Sequence, residues 1–170
     1  MGTSQGLNED AHAPVRYGER PSPLMLPLMK LPLVMYRLRL GWLLGHRFMR
    51  LTHVGRKSGK VRHTILAVLN YDPASREVML VSAWSASEWY RNVHAAPALE
   101  VETGRDRYAP EQRDLSTEEI AVVLDGFRRQ NPMISRIFCR IPGWSYPDSE
   151  EKAFELARRL RGVAFRPLHS

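Results

Sequence analysis

The feature that most constrains the fold is a succession of short apolar runs, separated by turn residues, between residues 48 and 114. The first two runs read RFMRLTHV and VRHTILAVLNY, and the short turn at Lys57–Lys60 joins them as a hairpin. The run EVMLVSAW predicts a strand buried on both faces, whereas ALEVETG alternates as a half-buried strand does. DRYAPEQRDL is the expected hairpin partner of ALEVETG. These runs predict antiparallel sheets.

Helical patterns interrupt and follow these strands. The stretch SASEWYRNVHAAP has helical character and stops before Pro97. Ser116 and Glu119 form a capping box ahead of an amphipathic segment. PMISRIFCRI reads as a further helical segment, and Asp148 is the expected cap of a final helix. GVAFRP is the candidate for a closing strand. The sequence therefore predicts a barrel-like antiparallel α+β domain with flanking helices.

Length and composition fit one globular domain. The chain has 170 residues, of which 44% are hydrophobic and 25% charged, as in ordinary soluble domains. A single cysteine, Cys139, excludes a disulfide framework and favours a reducing, cytoplasmic setting. We expect a disordered leader at residues 1–20 and a single domain at residues 21–170. Within that domain, the expected parts are an N-terminal helix at 33–46, a barrel at 48–114 and C-terminal helices at 116–160.

The positive charge is concentrated in the N-terminal third. The net charge is +7, but residues 16–62 alone hold eleven Lys or Arg and one acid. An anionic partner is therefore expected to bind there. Residues 22–49 are rich in Leu and Met, yet proline and basic residues interrupt any apolar run of about 20 residues. Two interpretations stay open: a helix packed on the core, or a peripheral contact at the inner face of the membrane.

The basic turn GRKSGK excludes several nucleotide sites. A P-loop has four residues between its glycines and continues Lys-Ser/Thr into a helix, whereas Gly55 and Gly59 enclose three and Val61 follows Lys60. The chain has no G-x-G-x-x-G dinucleotide fingerprint. Nucleic acid is not expected as a partner, because the aromatic residues lie away from the basic stretch.

The sequence also contains no motif for hydrolytic or metal chemistry. The histidines are scattered, with no metal-ligand spacing and no G-x-S-x-G elbow. Each lone histidine is expected to be a surface or core residue, and the sequence predicts no metal site.

In combination, LTHVGRKSGKVRHTILAV, EWYRN and AAPALEVETG resemble the deazaflavin (F420)-dependent nitroreductase family, over roughly residues 33–130. The resemblance implies an antiparallel split β-barrel of the FMN-binding-like kind and a cytoplasmic oxidoreductase. It also implies coenzyme F420, a polyanion with a flat redox ring, as the cofactor. FMN is the less favoured alternative, because its single phosphate needs fewer cations than this turn carries.

The resemblance also implies which residues bind the coenzyme. The turn supplies close backbone approach and cationic donors for the phosphate, the next strand lies along the deazaflavin, and the W-Y-x-N helix closes the site. The implied residues are Gly55, Arg56, Lys57, Ser58, Gly59, Lys60, Arg62, Thr64, Leu66, Ser82, Ala83, Trp89 and Asn92.

The loop before W-Y-x-N departs from the pattern of the family's nitroreductase branch, which usually has Ser-Lys-Gly-Gly there and a longer loop. This chain reads SAWSASEWYRN, with Trp84 in the loop, so the acceptor cannot be carried over. Tyr90 and Ser85 are the candidate proton donors. The expected function is hydride transfer to a small apolar enone, quinone or nitro compound by a monomer or homodimer. The alternative is a non-catalytic lipid, fatty-acid or heme carrier on the same scaffold.

Overall fold

The computed structural model describes residues 41–82, 87–140 and 147–168. These residues form a 3₁₀ segment at Gly41–Arg47, eight β-strands and four α-helices. The strands are β1 Phe48–Val54, β2 Val61–Ala67, β3 Asn70–Asp72, β4 Glu77–Ser82, β5 Glu100–Thr103, β6 Asp106–Tyr108, β7 Pro110–Asp114 and β8 Arg161–Pro167. The helices are α1 Glu88–Ala95, α2 Thr117–Gln130, α3 Pro132–Arg140 and α4 Glu150–Ala157.

The strands make two four-stranded antiparallel sheets. Sheet 1 has the order β2-β1-β5-β6, and sheet 2 has the order β3-β4-β8-β7. Inward side chains of both sheets form one apolar core, to which β1 contributes Met49 and Leu51, β4 contributes Leu80 and β8 contributes Phe165. Complete burial of a side chain such as Phe165 stabilises the fold by about 1.5–3 kcal/mol. The predicted α+β class with antiparallel sheets and flanking helices is confirmed.

A second core lies between sheet 2 and the helices. Val81 on β4 packs there with Ile120 and Leu124 of α2 and Ala153 of α4. Strand β4 is therefore buried on both faces, as its unbroken apolar run predicted. The capping box of Ser116 and Glu119 is confirmed at the start of α2.

Two of the predicted strands are each divided between the two sheets, although the hairpin pairing predicted for the first part of each is confirmed. VRHTILAVLNY divides into β2 and β3: the amide of Val68 donates to the carbonyl of Arg47 beside sheet 1, whereas the amide of Leu69 donates to Met79 in sheet 2. DRYAPEQRDL divides in the same way, since β6 pairs with β5 and β7 pairs with β8. In the first segment the apolar run gives no sign of the crossing, because Val68 and Leu69 are both buried, one in the inter-sheet core and the other in the second core.

The helix termini also differ in detail from the sequence predictions. The cap of α4 is Ser149, whose hydroxyl accepts from the amide of Lys152, while Asp148 forms an ion pair with the Lys152 ammonium. Of the expected helix at 33–46, the described part is 3₁₀ in character and is interrupted at Gly45. Residues 1–40 lie outside the described residues, with the expected leader and most of segment 22–49. Among the described residues, no helix is long and apolar enough to cross a membrane.

Candidate functional site

The GRKSGK turn joins β1 to β2 and is closed by its own backbone. The Gly55 amide donates to the Lys60 carbonyl at 2.9 Å, and the Gly55 carbonyl accepts from the amides of Ser58 and Gly59 at 3.1 and 2.8 Å. Gly59 has a φ of +66°, a conformation that side chains with a Cβ rarely adopt. A Cβ on Gly55 would lie 2.7 Å from Nε of Arg62, so this glycine lets the arginine cross the turn.

Three cations of the turn face solvent. Lys57, Lys60 and Arg62 are exposed, and none forms an ion pair within the described ranges. The Arg62 guanidinium lies 3.4 Å from the hydroxyl oxygen of Ser58, the same oxygen that the Lys60 amide approaches at 3.4 Å. The backbone amides of the turn are largely used within the protein, so what the constrained hairpin presents to solvent is its charged side-chain donors, which suit a phosphate.

Arg56 binds two residues of helix α1, a contact that the sequence did not predict. Its guanidinium donates to both carboxylate oxygens of Glu88, at 2.7 and 3.3 Å, and to Oδ1 of Asn92 at 3.3 Å. Its amide also donates to Asn92 Oδ1, at 3.1 Å. The hydrogen bond from Arg56 is the main reason that the pKa of Glu88 is lowered. In this structure Arg56 fastens the turn to helix α1.

Helix α1 supplies both partners of Arg56 because Glu88 and Asn92 are four residues apart and share one face. Asn92 is 3% exposed, so the turn is held against a buried amide. The W-Y-x-N motif and the basic turn, which are 36 residues apart in the chain, are thus in direct contact.

Strand β2 presents three of the expected coenzyme residues on one face. The antiparallel register places Leu66 opposite Met49, Thr64 opposite Leu51 and Arg62 opposite His53. Met49, Leu51 and His53 all point into the inter-sheet core, and directly opposed residues share a face. Arg62, Thr64 and Leu66 therefore line the inner face at an edge of the described sheet 1, and they pass from exposed to half-buried toward the core.

His53, which sequence reasoning treated as a structural residue, is part of this site. It is 1% exposed, and its two ring nitrogens lie 3.0 Å from the Thr64 hydroxyl and 3.3 Å from the Asn92 amide nitrogen. Burial is the main cause that lowers the pKa of His53, and the charge of Arg62 acts in the same direction. The signal that would have found it is the register: a hairpin centred on the turn places His53 diagonally across from Thr64.

The end of β4 meets the start of α1 beside the same site. The hydroxyls of Ser82 and Ser87 lie 2.6 Å apart, and Ser82 is buried. Trp89 packs against the inter-sheet core together with Leu66. Ala83 and Ser85, which were expected to contribute to the cofactor site and to proton donation, lie outside the described residues.

Tyr90 lies away from the turn. Residues 90 and 92 of a helix project about 160° apart, so Tyr90 and Asn92 face opposite sides of α1. The Tyr90 ring contacts His94, with ring centroids 4.2 Å apart, and His94 binds Asp114 of β7. Burial raises the pKa of the Tyr90 phenol, and the charge of Asp114 raises it further.

The basic turn, the inner face of β2 and one face of α1 thus meet through the hydrogen bonds of Arg56, His53 and Asn92, and Tyr90 lies on the opposite side of α1 from Asn92. The donors suit a polyanion, and the half-buried Thr64, Leu66 and Trp89 suit a flat ring, so the residues fit a deazaflavin coenzyme by their chemistry.

Comparison with known proteins gives the family. The model of the F420H2-dependent quinone reductase family matches residues 29–136, and the chain belongs to this family. It is accordingly an oxidoreductase that uses coenzyme F420. The match gives no support to the lipid, fatty-acid or heme carrier alternative. A comparison with curated proteins finds no match.

Several solved structures are similar to this chain. An F420H2-dependent reductase is 18% identical with a TM-score of 0.46, and the match covers 72% of this chain and 96% of that one. A domain-swapped dimer is 17% identical with a TM-score of 0.48, covering 85% and 100%. A pyridoxamine 5'-phosphate oxidase-related, FMN-binding protein from Nostoc punctiforme is 15% identical with a TM-score of 0.44, covering 86% and 81%.

Proposed function

We propose that this chain reduces a quinone with F420H2 and binds the coenzyme in the crevice between the basic turn, β2 and α1. The observation that carries the proposal is the common placement of exposed cations and a half-buried inner strand face on one hairpin. The family description favours a quinone over the enone and nitro compounds that the sequence left open.

The phosphate and glutamyl tail are assigned to Lys57, Lys60 and Arg62. These cations face solvent, and none of them forms an ion pair in the described residues, so binding an anion there breaks no existing pair. Arg56 is assigned a different role, because its donors already hold Glu88 and Asn92. It fixes the turn in place for the other three cations.

The deazaflavin ring is assigned to the inner face of β2. Thr64 supplies a hydroxyl, while Leu66 and Trp89 supply apolar surface that continues into the inter-sheet core. This surface excludes water from one side of the ring and leaves the other side for the acceptor. Ser82 and Ala83 remain the proposed contacts at the ring's polar edge.

The chemistry needs few protein groups. When bound, reduced F420 supplies the hydride, and the chain supplies binding, orientation and a dry surface. We assign the proton for the reduced acceptor to solvent rather than to Tyr90, since the Tyr90 side chain lies on the side of α1 turned away from Asn92. The raised pKa of Tyr90 keeps this phenol protonated near neutral pH.

A quinone also suits the proposed location of the protein. Residues 22–49 carry apolar and basic side chains together, which suits a peripheral contact with an anionic membrane surface from the cytoplasmic side. An apolar quinone dissolved in that membrane would then be within reach of the site.

The test is a binding titration followed by turnover. The purified chain is titrated with oxidised F420 and with FMN by ligand fluorescence, and F420H2 oxidation is then followed with a soluble quinone, an enone and a nitroaromatic compound. We expect F420 to bind in the micromolar range, FMN more weakly, and the quinone to be reduced fastest.

Matched variants locate the site. The double variant Lys57→Ala/Lys60→Ala is expected to weaken F420 binding, whereas Arg158→Ala/Arg159→Ala, which removes the same charge from an exposed site after α4, is expected to leave it unchanged. Equal affinity in the two double variants would refute the assignment of the turn. Faster reduction of the enone or the nitroaromatic would refute the quinone.

A further inference from the structure

His53 is an unusual residue for the inner face of a sheet, since nearly every neighbour there is apolar. A buried polar ring destabilises a fold unless its nitrogens are hydrogen-bonded, and both nitrogens of His53 are. Their partners, Thr64 and Asn92, belong to the two other elements of the proposed crevice. The imidazole therefore connects strand β2 to helix α1 through the interior.

The direction of these hydrogen bonds follows from Arg56. Both groups of Arg56 that contact Asn92 are N–H donors, so the atom they share must be the amide oxygen of Asn92. The amide nitrogen of Asn92 then faces Nδ1 of His53 and donates to it. Nδ1 accepts a hydrogen bond and carries no proton.

The remaining proton of the neutral ring is consequently on Nε2. This N–H donates to the hydroxyl oxygen of Thr64 at 3.0 Å. The Thr64 hydroxyl accepts there, so its own proton is directed elsewhere, and no second partner for it exists among residues 41–82, 87–140 and 147–168. Thr64 is half-buried on the inner face of β2, where the deazaflavin ring is proposed to lie.

We propose that His53 is a positioning residue for the reductase, which through the sequence Arg56, Asn92, His53 and Thr64 fixes the Thr64 hydroxyl as a hydrogen-bond donor into the crevice. The group that it would meet is an acceptor, a carbonyl oxygen or an unprotonated ring nitrogen of the coenzyme's heterocycle. This inference rests on the proposed function, because it requires the deazaflavin to lie along β2.

The first test reads the tautomer directly. Nitrogen-15 NMR of the histidine rings in the full chain distinguishes a protonated Nε2 from a protonated Nδ1, and His53 is assigned with the His53→Gln variant. We expect a neutral ring with the proton on Nε2. A proton on Nδ1, or a charged ring at neutral pH, would overturn the inference without any coenzyme being present.

The second test measures F420 affinity in matched threonine variants. Thr64→Val removes the hydroxyl at constant shape, and Thr64→Ser retains it. A hydrogen bond contributes about 0.5–1.5 kcal/mol net, so Thr64→Val is expected to weaken binding about 2- to 12-fold. Thr52→Val is the control, since Thr52 makes the equivalent bond to His63, at 3.1 Å, on the opposite face of the same two strands. It should leave affinity unchanged.

A double-mutant cycle separates positioning from structure. In the Thr64→Val background, His53→Leu should cause no further loss of F420 affinity, whereas a structural defect would add its own loss. With Thr64 intact, His53→Gln, which retains a donor near the position of Nε2, should bind F420 more tightly than His53→Leu does. His53→Gln also takes the place of His53→Leu in the cycle if His53→Leu does not fold. Unchanged affinity of Thr64→Val in a chain that binds F420 would overturn only this inference. A wild-type chain that does not bind F420 would overturn the proposed function and this inference together.

Discussion

Replacing Gly55 with alanine is the most direct perturbation of the basic turn, because the structure fixes what the added methyl group meets. The Cβ would lie 2.7 Å from Nε and 3.2 Å from Cδ of Arg62, and 2.9 Å from the hydroxyl oxygen of Ser58. Both contacts involve movable side chains rather than backbone. We therefore expect the hairpin to form and the Arg62 guanidinium to be displaced from the turn.

The size of the effect follows from what Arg62 contributes. A hydrogen bond to a charged group contributes about 1.5–3 kcal/mol, and the exposure of Arg62 places the expected loss near the lower limit. A loss of about 1.4 kcal/mol is tenfold in affinity. Gly55→Ala should therefore weaken F420 binding about tenfold and shift the melting temperature by only a few degrees.

The assay is fluorescence titration with F420, with thermal unfolding measured on the same preparations. Arg62→Ala is the companion variant, since it removes the displaced group itself. If the two variants lower affinity equally and the double variant loses no more, displacement of Arg62 explains the effect. Unchanged affinity in a folded Gly55→Ala variant would refute the assignment of Arg62 to the anion site.

Three further outcomes are expected. Gly59→Ala should lower the free energy of unfolding by about 1–2 kcal/mol in denaturant melts, because its φ of +66° strains any residue with a Cβ; Gly126→Ala in helix α2 should raise it by about 0.5–1 kcal/mol, since nothing lies within 4 Å of the added Cβ. Because the folded pKa of His53 is lowered, the unfolded chain binds that proton more tightly; stability should therefore fall as the pH drops below about 6.5, and His53→Gln should reduce this dependence. F420 affinity should fall with added salt, and Lys57→Ala/Lys60→Ala should flatten that dependence in titrations at several ionic strengths.

Each of these expectations has a specific contrary result. Equal stability changes at the two glycines would mean that backbone strain at Gly59 is absent. A pH profile of unfolding that is identical in the His53 variant would assign the acid sensitivity to other groups. A salt dependence that is equally steep after the loss of both lysines would move the anion site away from the turn.

The sequence predicted the parts of this fold that depend on local pattern. The hairpin around Lys57–Lys60, the doubly buried β4 and the capping box at Ser116 each follow from residues close together in the chain, and each is confirmed. The two segments that change sheet were predicted only in part, since the hairpin pairing of each is confirmed but the sequence pattern predicts a single strand for each. Val68 and Leu69 are both apolar and buried, in different cores, so the run continues through the crossing and only the hydrogen bonds of their amides reveal it.

The candidate site was also predictable from the sequence only in part. The positions of Arg62, Thr64 and Leu66 on one face follow from strand period once the turn is placed. The partner of Arg56 does not, because Glu88 is 32 residues away and carries no motif that distinguishes it from a solvated surface acid. His53 carried no signal by itself either, since a lone histidine in an apolar strand is most simply a core residue.

The pairing of Arg56 with Glu88 and Asn92 explains how four cations can share so short a hairpin. Like charges in one turn repel each other, and a turn held only by its own backbone would relieve that repulsion by opening. One carboxylate and one buried amide from α1 neutralise and fasten a single arginine, which leaves a net positive turn with its backbone already fixed. An anion that binds there meets ordered donors and loses less conformational entropy on the protein side. The acid beside the basic turn is therefore compatible with anion binding, because it holds the geometry that the remaining cations require.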